Sequence, residues 1–226
     1  MITLESVHKW YNRGAANAVH ALDDISLFIQ DNEAVCIQGP SGSGKSTLLS
    51  IIGCLFAPTS GTAIIHGKPL SRLPDRFLTL YRRETIGFIF QRFHLIPGLS
   101  VIANITIPLL PLGVSLSERR HRAERLLERL ALSHRKDFDI AHISGGELQR
   151  AAIARALINE PPIIVADEPT AHLDEQLSND FMSIIAELKA DGKTILIASH
   201  DPLVGKHVAI DRCLSMRGGR LTEPER

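Results

Sequence analysis

One glycine-rich segment constrains the fold more than any other part of this 226-residue sequence. It lies between two apolar runs, residues 35–37 and 48–52, and this order predicts a strand, a loop and a helix. A loop with three glycines turns tightly enough to direct successive backbone N–H groups at one point. There, with the positive end of the following helix, they bind a di- or triphosphate. The nine residues are Gly39, Pro40, Ser41, Gly42, Ser43, Gly44, Lys45, Ser46 and Thr47.

Two side chains at the end of this loop indicate a nucleotide with its metal ion. Lys45 should reach the terminal phosphates, and Ser46 should ligate Mg²⁺. The alternative is a Gly/Ser-rich turn that happens to contain a lysine. The strand before the loop and the helix after it make that alternative the weaker one, because the pattern predicts phosphate binding only in this context.

The composition argues against several other classes of protein. Lys plus Arg equals Asp plus Glu at 25 each, so no overall charge favours nucleic acid or an anionic membrane surface as a partner. Three widely spaced cysteines without a C-x-x-C pattern predict neither a disulfide framework nor a zinc site. The N-terminus alternates like a strand and not like a signal peptide. Residues 99–114, the most apolar stretch, contain two prolines and an asparagine, so another chain should supply any membrane spans.

Three further apolar runs should be strands whose carboxyl ends carry polar side chains. Residues 86–90 precede Gln91, residues 163–166 precede Asp167 and Glu168, and residues 194–199 precede His200. In open α/β sheets, ligands bind at the carboxyl ends of the strands. A carboxylate pair at that edge could hold Mg²⁺ and a water molecule. The alternatives are an acidic strand end exposed to solvent and, for Gln91, a surface residue that ends its strand.

Two other features are ambiguous when taken alone. Ser144, Gly145, Gly146 and Glu147 begin a second predicted helix, which could be another phosphate site but is more often plain helix capping. Tyr11 ends a predicted N-terminal strand and could stack on a nucleotide base, although an aromatic residue there more often serves packing.

The stretch between Gln91 and Ser144 contains a charged amphipathic helix. We expect Ser117 to be its N-cap, because this residue precedes the apolar stripe formed by residues 123, 126, 127 and 130. Glutamates interleave with the arginines of the helix, so its charges indicate a solvated face rather than a nucleic-acid patch.

Taken in order, these features resemble the nucleotide-binding domain of ABC transporters over essentially the whole chain. The resemblance implies an α/β fold of the P-loop NTPase class and ABC type, with a RecA-like core sheet, an antiparallel β subdomain and a helical subdomain. It also implies that residues 1–226 form a single domain into which the helical subdomain, roughly residues 92–160, is inserted.

The same resemblance implies a role for each site residue. The implied catalytic residues are Glu168, His200 and Lys45, and the implied Mg²⁺ ligands are Ser46, Gln91 and Asp167. The implied ATP-binding residues are Tyr11, residues 39–47, the signature residues Ser144, Gly145, Gly146 and Glu147, and Asp174.

Two motifs depart from the family pattern. Ile143 and Glu147 stand where the usual signature is Leu-Ser-Gly-Gly-Gln, and Ala171-His172 precedes Leu173-Asp174. Glu147 would place a carboxylate near a bound triphosphate. Four other segments are similar to the macrolide-exporter and lipoprotein-releasing branch of the family, namely residues 51–55, 58–61, 87–95 and 166–170.

The resemblance further implies how the protein works and what it binds. With ATP and Mg²⁺ as cofactors, it should be the hydrolysing subunit of a transporter. Two copies should close head to tail around two ATP molecules and drive an integral membrane permease, as in export or extraction by a mechanical stroke. The permease should contact the segment 93–97, which begins with Phe93 and ends with Pro97, and should hold the protein at the cytoplasmic face of the inner membrane.

Three alternatives remain open from the sequence. A signalling ABC complex would use the same ATPase beside a membrane partner that transports nothing. A DNA-repair or chromosome ATPase would share the motifs but usually inserts a coiled coil or zinc module between Lys45 and Ser144. The stretch here is compact, and the balanced charge predicts no nucleic-acid partner. A small-molecule kinase would not need the second glycine-bearing helix start.

Overall fold

The computed structural model describes residues 1–171 and 173–222, and His172, one of the departures noted above, lies outside the described residues. The described chain forms two β-sheets and a set of helices. The strands are β1 (Ile2–Tyr11), β2 (Val19–Ile29), β3 (Ala34–Gln38), β4 (Ser60–Ile65), β5 (Lys68–Pro69), β6 (Ile86–Ile89), β7 (Ile163–Asp167), β8 (Thr194–Ala198), β9 (Arg212–Arg217) and β10 (Arg220–Thr222).

In the described residues, seven α-helices connect or cover these strands. They are α1 (Lys45–Ile52), α2 (Asp75–Thr85), α3 (Val101–Thr106), α4 (Leu116–Arg129), α5 (Gly145–Leu157), α6 (Glu175–Ala190) and α7 (Pro202–Lys206). Short 3₁₀ segments at Ile107–Leu112, Ser133–Arg135 and Ile140–His142 complete the chain between β6 and β7.

The larger sheet has six strands in the order β10-β9-β3-β8-β7-β6. Strands β9, β3, β8, β7 and β6 are parallel, and β10 joins as an antiparallel edge strand. The central strands are short, continuous apolar runs, as expected where both faces of a parallel sheet are covered. Their register places Ile37 and Asp167 each opposite Ala198, so the carboxyl ends of β3, β7 and β8 meet at one edge.

Alternate residues of these strands pack into two separate cores. Ile164 and Ala166 of β7 face a core shared with α5, α6 and the helical region, whereas Ile163 and Val165 face α1 and the smaller sheet. All four side chains are fully buried. Burial of each large apolar side chain stabilises the fold by about 1.5–3 kcal/mol. A shift of one residue would move every side chain to the opposite face, so burial on both faces fixes the register of the strands. The same register determines the edge of the sheet at which their polar ends lie.

The smaller sheet is antiparallel, with the order β2-β1-β4-β5. Its long strand β1 confirms the strand that the alternating pattern predicts at the N-terminus, and it ends at Tyr11. Ile2 and Leu4 are buried in the core that also contains the apolar residues of α1, while the intervening Thr3 is only partly buried, as expected for a sheet with one covered face.

The helices between β6 and β7 have their own part of the core, which includes Ile105, Leu127 and Ile153. The prediction that Ser117 caps α4 is wrong. Ser115 is the N-cap, and its Oγ accepts from the Glu118 N–H at 3.3 Å. Both serines precede the apolar stripe. A cap hydroxyl accepts from the N–H of the second or third helical residue, and Glu118 is the third residue only when residue 115 is the cap. Among the described residues, every helix is too short or too polar to cross a bilayer.

Candidate functional site

A cavity of about 830 Å³ lies at the carboxyl edge of the larger sheet. The structure brings most of the predicted site residues together around it, although they come from five separate parts of the sequence. The predicted residues that line it are Tyr11, Pro40, Ser41, Gly42, Ser43, Gly44, Lys45, Ser46, Thr47, Gln91, Glu168 and His200.

The glycine-rich loop takes a conformation that two of its glycines make possible. A Cβ atom on Gly39 would lie 2.1 Å from the Met216 carbonyl oxygen, so no side chain fits there. Gly44 has a φ of 107° and is the N-cap of α1, which begins without a side-chain cap in the described structure. The first N–H groups of α1 therefore remain for a ligand, and an anion at this helix end is favoured by the helix dipole.

Lys45 is almost fully buried, at 6% exposed, and its ammonium group is held in place. Its Nζ donates to the carbonyl oxygens of Gly39 at 2.7 Å and Pro40 at 3.2 Å. The same Nζ lies 3.3 Å from Oε1 of Glu168. These contacts fix a positive charge at the centre of the cavity, beside the backbone donors of the loop.

Ser46 and Asp167 form a second contact at this edge. The Ser46 hydroxyl donates to Oδ1 of Asp167 at 3.0 Å, although the two residues belong to different elements, α1 and β7. Burial raises the pKa of Asp167, and the Ser46 hydrogen bond opposes that rise without cancelling it. A hydroxyl and a carboxylate, with the Gln91 amide on the same cavity, supply the oxygen ligands that Mg²⁺ takes, so these residues fit that ion.

Glu168 follows β7 and contacts Ala198 in β8, His200 after β8, and Lys45 at the end of the glycine-rich loop. Its N–H donates to the Ala198 carbonyl at 2.8 Å, and its φ of 46° turns the backbone away from the strand. While Oε1 faces Lys45, Oε2 accepts from the His200 N–H at 3.2 Å and lies 2.8 Å from His200 Nδ1. Because an ionised carboxylate only accepts, Nδ1 carries the proton in this contact. Such a carboxylate is placed to take a proton from a water molecule in the cavity.

The second glycine-bearing helix start lies outside this cavity. Ser144 is the N-cap of α5, and its hydroxyl accepts from the Glu147 N–H at 3.4 Å in a capping box. A Cβ atom on Gly146 would lie 2.7 Å from Leu177 Cδ2, so glycine allows α5 to approach α6 closely. Asp174 caps α6 by accepting from the Leu177 N–H at 2.8 Å. The starts of α5 and α6 are thus neighbours, on a surface apart from the loop.

The segment after Gln91 is connected to the far end of α5. Phe93 and His94 have positive φ angles of 56° and 49°, a conformation that costs energy for residues with side chains. The carbonyl groups of both accept hydrogen bonds from the guanidinium of Arg155 in α5. Arg155 therefore holds this segment in its strained conformation.

Some residues at the site were not predicted from the sequence. His20 and its neighbours in β2 line the cavity, as do Gly218 and Gly219 of the last turn. His20 lies opposite Trp10 in the β1–β2 pair, and their rings stack with centroids 4.0 Å apart. Only the strand register brings His20 to the cavity, and a sequence without an alignment carries no direct signal for that register.

Comparisons with known proteins agree on one family. A family model described as ABC transporter matches residues 22–171. The chain is 44% identical to the ABC transporter ATP-binding protein YvrO of Bacillus subtilis, over 100% of this chain and 97% of that protein. It is 43% identical to the macrolide export ATP-binding/permease protein MacB of Hyphomonas neptunium over 98% of this chain, which spans 34% of that protein's length.

Solved structures show the same fold. The structure matches the ATP-binding cassette MJ0796 in a dimeric post-hydrolysis state bound to ADP and Pi, with a TM-score of 0.91 and 40% identity. That match covers 100% of this chain and 98% of the other. The predicted α/β fold with its antiparallel sheet and helices is confirmed.

Proposed function

This chain belongs to the ABC transporter family as an ATPase, and on that premise we propose that its ATP-driven dimerisation powers a membrane permease. The observation that carries the proposal is the convergence of Lys45, Ser46 and the Glu168–His200 pair on one cavity, with Asp167 bonded to Ser46 beside it. This arrangement supplies the positioning and charge stabilisation that phosphoryl transfer needs from a protein.

Each group of the cavity has a part in the hydrolysis we propose. The loop N–H groups and Lys45 bind the phosphates, and Tyr11 stacks on the adenine. Glu168 takes a proton from the water that attacks the γ-phosphorus, and His200, held by Glu168, bonds the γ-phosphate. Mg²⁺ when bound neutralises charge on the phosphate oxygens, and Ser46, Gln91 and Asp167 are the residues that would hold it.

The separation of the α5 start from the cavity supports a head-to-tail dimer. In a single subunit the N–H groups at the signature do not line the site that holds Lys45, so their natural ligand is a triphosphate bound to a second copy. Two such sites then close around two ATP molecules, and hydrolysis removes the phosphate that joins the subunits. The dimeric cassette structures of a 40% identical relative support this arrangement.

We place the permease contact at the segment after Gln91. Ile96 is 47% exposed and Phe93 is half-buried, so both present apolar surface beside a residue that senses the metal site. A groove of about 330 Å³ adjoins the same region and is lined by apolar residues that include Phe88, Phe90 and Ile107. A cytoplasmic helix of the permease would fit this groove and hold the ATPase at the cytoplasmic face of the inner membrane.

Within this family we favour the branch whose permeases extract or expel substrates by a mechanical stroke. The macrolide export relative, which carries an ATP-binding and a permease part, supports that choice.

The test is reconstitution of the protein in liposomes with the membrane protein that copurifies with it. We expect ATP hydrolysis to rise on complex formation and to depend on Mg²⁺. We also expect removal of a lipophilic substrate from the outer leaflet. Stimulated hydrolysis without movement of any substrate would favour a signalling complex, and transfer of the phosphate to a small molecule would indicate a kinase instead.

A further inference from the structure

The carboxylate of Glu147 is engaged on both of its oxygens within its own subunit. Oε2 accepts from the Ser144 N–H at 2.8 Å and from the Ser144 hydroxyl at 2.9 Å. Oε1 accepts from Arg135 Nε at 2.8 Å and lies 3.2 Å from His134 Nε2. The Glu147 side chain is 9% exposed, so these partners replace most of its contact with water.

Arg135 is the partner that most strongly favours the ionised form of this group. Its hydrogen bond is the largest cause that lowers the pKa of Glu147 to about 2, followed by the bond from the Ser144 N–H. Glu147 is therefore ionised at any physiological pH, and the guanidinium neutralises it. Arg135 is itself positioned, because its guanidinium carbon lies 4.8 Å from the ring centroid of Phe138.

This neutralisation matters because of where Glu147 lies. It occupies the third position of α5, in the first turn whose N–H groups we propose to bind the partner's triphosphate. A carboxylate at a helix N-terminus is favourable on its own, since it meets the positive end of the dipole. An incoming polyphosphate seeks the same positive end, so an uncompensated carboxylate would repel it.

We propose that Arg135 is a positioning residue of the signature site, and this inference rests on the proposed function. By binding Glu147, Arg135 cancels a negative charge that would otherwise face the triphosphate of the second copy. It also holds the carboxylate against Ser144, which fixes the backbone N–H groups at the start of α5. Arg135 thus compensates for glutamate where the usual signature has a neutral glutamine.

The inference predicts a specific rescue between the two residues. If Arg135 acts by cancelling charge, R135A should impair ATP-dependent dimerisation only while residue 147 is negative. E147Q removes the charge and keeps an oxygen acceptor for the Ser144 N–H. The double variant R135A/E147Q should then recover what R135A has lost.

The experiment measures ATP-dependent dimerisation by sedimentation velocity in an E168Q parent, in which we expect hydrolysis to be strongly reduced. We expect R135A to raise the dimer dissociation constant tenfold or more and R135A/E147Q to return within about threefold of the parent. Lys136 and Glu124 provide a matched control, since they form an ion pair at 3.2 Å in the same region between β6 and β7. K136A and E124Q should leave dimerisation unchanged, and the affinity of the monomer for a fluorescent ATP analogue should be equal in all variants.

Two outcomes would overturn the inference and remain distinguishable. If R135A/E147Q dimerises no better than R135A while the E168Q parent dimerises normally, Arg135 does not act by cancelling charge and only stabilises the helices between β6 and β7. A parallel thermal unfolding scan identifies this case, since both variants would then lose stability together. If the E168Q parent itself stays monomeric in ATP, the proposed function fails first, and the inference falls with it.

Discussion

Lys45 Nζ lies 3.3 Å from Oε1 of Glu168, so the charge proposed to bind phosphate and the carboxylate proposed as the base contact each other directly. A γ-phosphate that binds Lys45 must therefore approach Glu168. The negative charge on Glu168 opposes that approach, and the same charge makes it an effective proton acceptor. In the proposed mechanism, phosphate binding and hydrolysis are thus linked through the Glu168 side chain.

The first prediction concerns E168Q. Glutamine keeps the size of the side chain and an acceptor for His200 but removes the base and its repulsion of phosphate. We expect phosphate release to fall at least about 100-fold, the usual size of a general-base contribution, while ATP binding is retained and a stable dimer accumulates. Phosphate release and sedimentation velocity measure the two effects. As a control, E187Q, on the exposed face of α6, should hydrolyse ATP normally. Rapid hydrolysis by E168Q would show that Glu168 is not the general base.

The second prediction separates the signature from the cavity. S144R should leave ATP binding to the monomer nearly intact and abolish dimer closure, because the side chain blocks an anion site outside the cavity. S115R is a matched control, since the Ser115 hydroxyl also accepts from the N–H of the third helical residue, here in α4. Both changes should cost about 1 kcal/mol of stability through the lost cap, but only S144R should prevent dimerisation. Loss of ATP binding by the S144R monomer would contradict the proposed division of the site.

The third prediction tests the permease contact. I96E places a charge on a side chain that is 47% exposed, so the thermal midpoint should stay unchanged while copurification with the permease is lost. L95E should instead destabilise the isolated protein by about 2–3 kcal/mol, because Leu95 packs against the core of the helical region. L116E, on a side chain at the start of α4 that is 74% exposed, should affect neither measurement. Normal copurification of I96E would place the permease elsewhere.

The fourth prediction concerns pH. Burial raises the pKa of Asp167 in the folded state, so ionisation of this group opposes folding above its unfolded pKa of about 3.8. D167N should therefore increase the free energy of unfolding at pH 7 to 8, and the gain should disappear as the pH approaches about 4, while Mg²⁺-dependent hydrolysis is lost. Urea denaturation across this range measures the effect.

Asp211 provides a control of opposite sign for D167N. Burial acts to raise its pKa, but hydrogen bonds from the Ala34 N–H at 2.9 Å and Lys189 at 2.5 Å outweigh burial and lower it. D211N should therefore destabilise the protein at neutral pH, and this loss should shrink as the pH falls through the folded pKa of Asp211. A lower free energy of unfolding for D167N at pH 7 would contradict the assignment.

The sequence predicted the elements whose signals are local. The glycine loop before α1 and the apolar runs that end at Asp167 and His200 were identified because strand, loop and polar terminus follow one another in the chain. The cap of α4 was wrong by two residues, since Ser115 and Ser117 carry almost the same local signal. His20 at the cavity and Arg135 at Glu147 depend on contacts between elements, and no local pattern encodes them.

The hydrogen bonds from Arg155 to Phe93 and His94 connect the end of α5 to the segment after Gln91. The helix begins at the signature and carries Arg155 near its other end, so one rigid lever of about 20 Å spans the two regions. A tilt of about 5° at one end moves the other by about 1.7 Å, enough to break or remake a hydrogen bond. If the partner's nucleotide binds at the start of α5 and the permease binds at residues 93–97, as we propose, both contacts act on the same helix, and a displacement of one end of α5 reaches the other.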